Sequence, residues 1–583
     1  MHFKYLLLAL CFATLSAQAQ TFTAPPPTDV RTMAEWEELS ALVITWNPGF
    51  GGNAWRKTLS EIVKAARLEC KVIIVCSSQS VINSAKNFLT AQGVDYSSNV
   101  EFLISPNDSI WVRDYGPPCI YGNGVDSLML VDWIYNRTRY LDNAIPAKIG
   151  QYLHLPVYAT TTAPYDLVNT GGNFMSDGMG TAFASKLIFR NNDQIANGEG
   201  VDTVDIFGTT NHTESSIDNI MAEFMGINRY IKMEELPYDG IHHIDMHMKL
   251  LDEETLLVGQ FPLNTSDGPQ IEANIQYVLS QFKTSFGRDF KVIRIPMPPY
   301  EGGQYAPFGG VNSLDALYPT YINAVFVNKT VIMPKYNIPE DGAAQDTFQK
   351  YLPGYEIVQV DCGSIIYNGG AVHCITKEIG VADPLLIQHA VLTCQDNSQT
   401  SGYEVSATIR HRSGISGAKV YYTTDLSASW TSIDMEHVFG DTAFLWSALI
   451  PPQAPGKTVY YYIEAQAENG KSITRPLPAP EAYWSFCVTQ SSSTVEPLRV
   501  RLEDVYPNPA SAMTVVPVHS NQKTQAVIRV LDALGRPCME LFNGELQAGK
   551  NQYFFDAARL TSGVYFIECQ TGSWVRTQKV VVR

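Results

Sequence analysis

The densest set of reactive side chains lies between Ile241 and Leu250, in the stretch IHHIDMHMKL. Its residues alternate with period two, the repeat of a β-strand, so His243, Asp245, His247 and Lys249 share one face. Ile244, Met246, Met248 and Leu250 share the other. Two chemistries fit such a face. His-x-Asp-x-His offers a metal ion three ligands on one side of the chain. The same groups also suit acid-base work on a charged substrate, with an imidazole moving protons and a carboxylate binding a cation. A solvated polar face on an edge strand is the third reading, and the stretch alone leaves all three open.

Four other clusters could share in the chemistry. Trp111 to Pro117, WVRDYGP, packs an aromatic, a cation and an anion (Asp114) ahead of a turn, although a structural Arg113–Asp114 ion pair would explain it equally well. Asn169 to Asn173, NTGGN, carries a glycine pair at Gly171 and Gly172, where the backbone can turn sharply or approach another group closely. Tyr321 to Ala324 puts the amide of Asn323 at the opening of the strand-like run AVFVNKTVIMP. Asn368 to Thr376, NGGAVHCIT, runs a glycine turn into a strand that bears Cys374. A lone cysteine is usually an inert buried hydrophobe; its place after a glycine turn favours a nucleophile.

These five clusters follow one another at intervals of about 50 to 80 residues, as expected if five α/β units surround an axis and each contributes a strand end to a central pocket. The elements agree. From about Thr28 to Gly380, helix-like segments such as Ala54 to Leu68 alternate with short apolar strands such as Val72 to Val75. After Ala382 the chain reads as short alternating strands, GAKVYYTTD, AFLWSALI, TVYYYIEAQ and AYWSFCV, an immunoglobulin-like β-sandwich over about 383–489. A polar stretch, TQSSSTVEP, separates this from a last all-β module.

Of the 583 residues, 41 are Lys or Arg and 58 are Asp or Glu, for a formal net charge of −17. That balance disfavours nucleic acid as a partner, since phosphate binding needs clustered bases, and leaves cationic substrates open. MHFKYLLLALCFATLSAQAQ has the basic start, short apolar run and Ala-x-Ala site of a secretory leader, residues 1–19. No later run is long and uncharged enough to be a transmembrane segment. Cys11 leaves with the leader, so nine of the ten cysteines remain. An odd count guarantees one thiol without an intramolecular partner, and Cys394 with Cys487 is one pairing open to the rest.

The tail resembles the C-terminal sorting domain of the type IX secretion pathway of Bacteroidetes, on the segments VYPNPA (505–510), LDALGR (531–536), LTSGVYFIEC (560–569) and QKVVVR. The ordered set AEWEE (34–38), WVRDYGP, TGGN, HxD, YxN and GGxxHC resembles the guanidine-modifying superfamily. Within it the likeness is to the Porphyromonas-type peptidylarginine deiminase and agmatine deiminase branch, over about 28–380. The resemblance implies a five-bladed pentein α/β propeller over 20–380, followed by the Ig-like sandwich (381–489) and a linker with the sorting domain (490–583). It makes Cys374 the nucleophile, His243 the general acid and base, Asp114 and Asp245 the carboxylates that grip the guanidinium, and Asn323 a supporting polar group. Trp111, Gly172 and Asn173 fall among the substrate-binding positions. No cofactor or catalytic metal is implied; a structural cation stays open, and His247 receives no role.

The expected product is a ureido group with ammonia, formed through a covalent thiouronium on Cys374: citrulline from arginine or N-carbamoylputrescine from agmatine. Agmatine deiminases resemble the α/β region alone, whereas the secreted peptidylarginine deiminases resemble the whole architecture. In these an Arg pair at the place of Arg137 and Arg139 binds the α-carboxylate of a C-terminal arginine, which suits the bidentate guanidinium; arginines paired with Asp132 or Asp142 are the structural alternative. Gly369-Gly370 is closer to the agmatine branch. The expected partners are arginine-containing peptides or proteins and the secretion machinery, and the expected location is outside the cell or on its surface. A silent surface adhesin and a metallohydrolase built on His243, Asp245 and His247 are the readings from other classes.

Overall fold

A computed structural model describes residues 20–583 except 194–206, 263–264, 300–302, 304, 306–317, 400, 439–443, 491–499 and the single positions 504, 507, 512, 534 and 573. The expected leader and most of the expected linker lie outside the described residues. The chain forms two compact units, Met1–Thr489 and Gln490–Arg583.

Among the described residues, the α/β part of the first unit contains five separate sheets. Three share one pattern: a short antiparallel hairpin, then a helix, then a strand that returns parallel. Met248–Leu250 pairs antiparallel with Thr255–Gln260, and Lys291–Pro296 adds in parallel after the helix Gly268–Gln281. Val325–Val327, Thr330–Lys335 and Glu356–Asp361 repeat this around the helix Glu340–Tyr351. Met175–Ser176, Thr181–Ser185 and Arg229–Met233 do so around Glu214–Met225, whose first turn is capped by the Thr213 hydroxyl. The larger sheet holding Cys119–Gly122 and Ser127–Tyr135 has the same core with added strands.

The fifth sheet joins the two ends of this region. Leu39–Trp46, Lys71–Cys76 and Val100–Ile104 run parallel, and Lys377–Gly380 lies antiparallel on Leu39–Trp46. Lys71–Cys76, KVIIVC, is apolar without alternation because both of its faces are covered.

Beyond Gly380, a four-stranded and a six-stranded sheet enclose one core that includes Val405, Ile409, Val420, Tyr461, Ile463 and Phe486. Cys394 and Cys487 form a disulfide there. This sandwich is bound firmly to the α/β part. Arg475 donates to the Trp36 carbonyl at 3.0 Å and lies 3.6 Å from Glu253, and Lys471 pairs with Glu38 at 2.6 Å. The second unit is all-β, with sheets of three and four strands.

Three local expectations are corrected. Ile241 to Leu250 is not one strand: His242 has φ of 58°, Ile244–Met246 is a 3-10 turn, and only Met248–Leu250 is extended. The period-two pattern misleads because both faces are interior, with His247, Lys249 and Met246 all buried. Cys374 likewise sits in a 3-10 turn, His373–Ile375, ahead of its strand. The Arg-x-Arg spacing would put Arg137 and Arg139 on one face of a strand, but the strand Ser127–Tyr135 ends before them and the chain bends.

Candidate active site

Each of the five sheets is entered through a residue singled out from the sequence. Asp114 precedes Cys119–Gly122, Gly172 precedes Met175–Ser176, Asp245 precedes Met248–Leu250, Asn323 precedes Val325–Val327, and Cys374 precedes Lys377–Gly380. Four of them occupy single helical turns, Val112–Tyr115, Gly171–Asn173, Ile244–Met246 and His373–Ile375. A tight turn before a strand aims the side chain along the strand axis rather than into either face, which brings distant units to one point.

Cys374 is 1% exposed. The Asn323 side-chain nitrogen lies 3.2 Å from its Sγ, and Asp245 Oδ2 lies 3.6 Å from the same sulfur. The Asn323 oxygen accepts the backbone N–H groups of Ala371 (3.1 Å) and Cys374 (3.3 Å). Gly370 permits this packing, since a Cβ there would fall 2.5 Å from Cys374 Sγ and 3.0 Å from the Trp111 ring. Trp111 itself is buried against Trp55 and Phe50.

Asp114 and His243 form the opposite side. Asp114 Oδ1 accepts the Gly172 N–H at 3.3 Å and lies 3.6 Å from His243 Nδ1, while Oδ2 accepts from the Tyr135 hydroxyl at 3.4 Å. Gly172 is needed for close approach: a Cβ would meet His243 Nδ1 at 2.4 Å and Asp114 Oδ1 at 3.1 Å. Thr170 Oγ1 is 3.4 Å from His243 Nε2. Asn173 faces elsewhere, exchanging hydrogen bonds with the Ser185 backbone at 2.8 and 3.3 Å. Two buried atoms, Asp245 Oδ1 and His243 Nδ1, have no hydrogen-bond partner among the described residues. Such orphans are rare in finished interiors and fit a pocket that receives a polar ligand.

Behind Asp245 lies a charged cluster of which the sequence patterns singled out Arg113 and Lys249 but not their partners. His373 contacts Asp245 Oδ2 through Nδ1 at 2.7 Å and Glu35 Oε1 through Nε2 at 2.8 Å. Glu35 also pairs with Lys249, and Arg113 makes a bidentate pair with Glu378 at 2.6 and 2.7 Å. Glu35 and His373 were visible only as letters of the AEWEE and GGxxHC segments. Glu35, His373 and Glu378 place potential ligand atoms within 4.8 Å of one another, the spacing of a metal site. Their atoms are already committed to Arg113, Lys249 and Asp245, so the cluster is a satisfied set of ion pairs. The His243, Asp245 and His247 set does not form such a group among the described residues.

Burial decides the resting charge state. It pushes the Cys374 thiol well above its ordinary range, helped by Asp245 and Asp114, and it lowers His243 against the pull of the same carboxylates. Burial also takes His247 down to about 4. For Asp245 burial acts upward, but the hydrogen bond and charge of His373, with His243 and Arg113, hold it below the usual carboxylate range. The site at neutral pH is therefore a neutral thiol, a neutral imidazole at His243 and an ionised Asp245, a set that lacks a cation.

The fold is mixed α/β, and the approaches to three of its sheets bring together a buried cysteine, a histidine and two carboxylates. The chain belongs to the Porphyromonas-type peptidyl-arginine deiminase family, whose model matches residues 31–379. Members of this family hydrolyse guanidino carbon–nitrogen bonds. A second model, the secretion system C-terminal sorting domain, matches 504–583 and points to type IX secretion machinery. Curated proteins of Yersinia pseudotuberculosis and Yersinia pestis, each named as a candidate agmatine deiminase, are 25% identical over 396 residues, covering 63% of this chain and 100% of theirs. A crystal structure of another candidate agmatine deiminase aligns with a TM-score of 0.52 at 20% identity, over 63% of this chain and 99% of that one, a likeness of fold. No helix among the described residues is long and apolar enough to cross a membrane.

Proposed function

We propose that the protein is a secreted peptidylarginine deiminase that acts by preference on arginine at a peptide C-terminus. The observation that carries the chemistry is the convergence of Cys374, Asp114, Asp245 and His243, all of them buried and close enough to shift one another's titration. A guanidinium is a planar cation with N–H donors on several edges. Asp114 and Asp245 accept from different edges through charge-assisted bonds, each worth about 1.5 to 3 kcal/mol. The cation also supplies the charge that the resting site lacks, which lowers the cost of forming a thiolate beside two carboxylates.

In the first step the Cys374 proton passes to His243 and Sγ bonds to the guanidinium carbon. His243 returns that proton to one terminal nitrogen, the carbon–nitrogen bond breaks, and ammonia leaves, with a cationic thiouronium on Cys374. In the second step water adds to the same carbon and gives a proton to His243. The carbon–sulfur bond then breaks as the remaining hydroxyl proton passes to sulfur, and His243 gives its proton to solvent, which leaves a ureido product, the free thiol and a neutral imidazole. Asn323 holds Sγ and its backbone in place, and no metal or organic cofactor takes part.

The peptide preference rests on Arg137 and Arg139, which are partly exposed and donate to neutral oxygens, the Asn136 carbonyl and the Tyr135 hydroxyl. The Asp142 carboxylate is taken up by the backbone of Asp108 and Ser109 and the Ser109 hydroxyl. Arg139 donates to the Tyr135 hydroxyl at 3.1 Å, and that hydroxyl reaches Asp114, so the arginine stands near the site. A carboxylate at the far end of the substrate would pair with these guanidinium groups. Agmatine deimination is the second reading, favoured by the names of the Yersinia relatives and by Gly369-Gly370. The five sheets are read as blades around the pocket, the β-sandwich as Ig-like, and residues 1–19 with the tail as two successive export signals. Measuring ureido product from C-terminal arginine peptides, internal arginine peptides and agmatine tests the proposal; faster turnover of agmatine than of any peptide reverses the substrate assignment.

A further inference from the structure

We infer that His373 is a positioning residue that holds Asp245 by one oxygen so that the other is presented to the bound guanidinium. The inference rests on the deiminase reading, because it takes Asp245 as a guanidinium ligand. Three observations carry it. First, both ring nitrogens of His373 face carboxylate oxygens, at 2.7 and 2.8 Å. Ionised carboxylates only accept, so each ring nitrogen faces an acceptor and is placed to donate. Second, the contact on Asp245 uses Oδ2 alone, while Oδ1 is buried and has no partner among the described residues. A carboxylate tied at one oxygen and empty at the other is fixed in rotation and short of N–H donors, which a guanidinium supplies.

Third, the far end of the ring is anchored. Glu35 is held by Lys249 and sits in a turn where Ala34 N donates to Glu37 Oε1 at 2.7 Å. From the β-sandwich, Arg475 donates to the carbonyl of the adjoining Trp36 at 3.0 Å. The two histidines of the site are thereby sorted. His373 has both nitrogens engaged and none left to move a substrate proton, whereas His243 keeps Nδ1 without a partner. Cys374 Sγ donates to the same Oδ2 at 3.6 Å, so both contacts on Asp245 fall on one oxygen and leave the other for the ligand.

The test separates grip on the cation from turnover. Cys374 is alkylated with 2-chloroacetamidine, a cation shaped like the end of a guanidinium, and with neutral 2-chloroacetamide. In each case sulfur bonds to the methylene carbon, chloride leaves and the thiol proton goes to solvent. Mass spectrometry of the Cys374 peptide gives the rate ratio, which reports recognition of the cation by the carboxylates. The parent protein is expected to react at least tenfold faster with the amidine. His373→Asn keeps a donor at the Nδ1 position and should hold the ratio within twofold of the parent. His373→Gln, whose amide reaches the Nε2 position and abandons Asp245, should lower it at least fivefold; His373→Ala serves if that variant does not fold. A Gln or Ala variant that keeps the parent's ratio overturns the role given to His373. A parent without any amidine preference overturns the deiminase reading instead, and the two failures are told apart by the parent alone.

Discussion

Asn323 holds Cys374 from two directions: its side-chain nitrogen is 3.2 Å from Sγ, and its side-chain oxygen takes the Cys374 backbone N–H at 3.3 Å. One amide thus fixes both the turn that bears the thiol and the sulfur itself. Asn323→Asp keeps the acceptor and loses the donor. A misplacement near 1 Å at a reacting centre costs on the order of a hundredfold, and kcat for Asn323→Asp should fall about tenfold to a hundredfold with little change in thermal unfolding.

Cys374→Ser should reduce ammonia release below detection, since an alcohol of ordinary acidity cannot replace the thiol as nucleophile in this setting. His243→Asn removes the proton carrier, for which general acid-base contributions run about a hundredfold to ten-thousandfold. Normal ammonia production by the Ser variant would remove Cys374 from the mechanism.

The form of the free enzyme that starts the reaction holds a neutral thiol and a neutral His243. Burial lowers His243 and raises Cys374. The acidic limb of kcat/KM should therefore break below the usual histidine pKa of about 6.5, and the alkaline limb above the free-thiol value of about 8.5. Between them lies a plateau. A narrow bell centred near pH 7.5 would contradict this assignment of protonation states.

Arg137→Ala and Arg139→Ala should each lower kcat/KM on C-terminal arginine peptides by about tenfold to a hundredfold, the loss of one charge-assisted contact of roughly 1.5 to 3 kcal/mol. Amidation of the peptide C-terminus should cost the parent enzyme as much and the double variant little. Equal losses on amidated and free peptides would show that the arginines serve another purpose.

Gly370→Ala should be a catalytic lesion more than a folding one. Gly370 lies outside the positive-φ region, so the added methyl acts through space alone, at 2.5 Å from Cys374 Sγ. The sulfur must shift, and activity should drop about a hundredfold while the protein stays soluble.

Much of the plan was written into the sequence in a form that can be read. The five clusters at spacings of about 50 to 80 residues do lead into five sheets, because each unit needs a hairpin, a helix and a return strand to bury its faces. Cys374 lies beside Asp245 and Asn323, and Asp114 beside His243. Local geometry was harder. IHHIDMHMKL alternates like a strand, yet His242 adopts φ of 58° and the chain turns, since alternation marks faces only where one side meets water. The Glu35–His373 contact spans 338 residues and leaves no local signal. Arg113 and Asp114 are not each other's partners: Arg113 goes to Glu378 and Asp114 to Gly172 and Tyr135.

The pairing of Lys377–Gly380 with Leu39–Trp46 has a consequence for timing. Ser40 and Gly380, joined by a hydrogen bond of 2.7 Å, are 340 residues apart. The turn that carries Cys374 has no edge to rest on until the whole α/β chain has been made and its first sheet has formed. Long-range pairing of this kind is slow. A chain cut between residues 375 and 377 keeps the thiol and loses the strand that ties its turn to the first sheet.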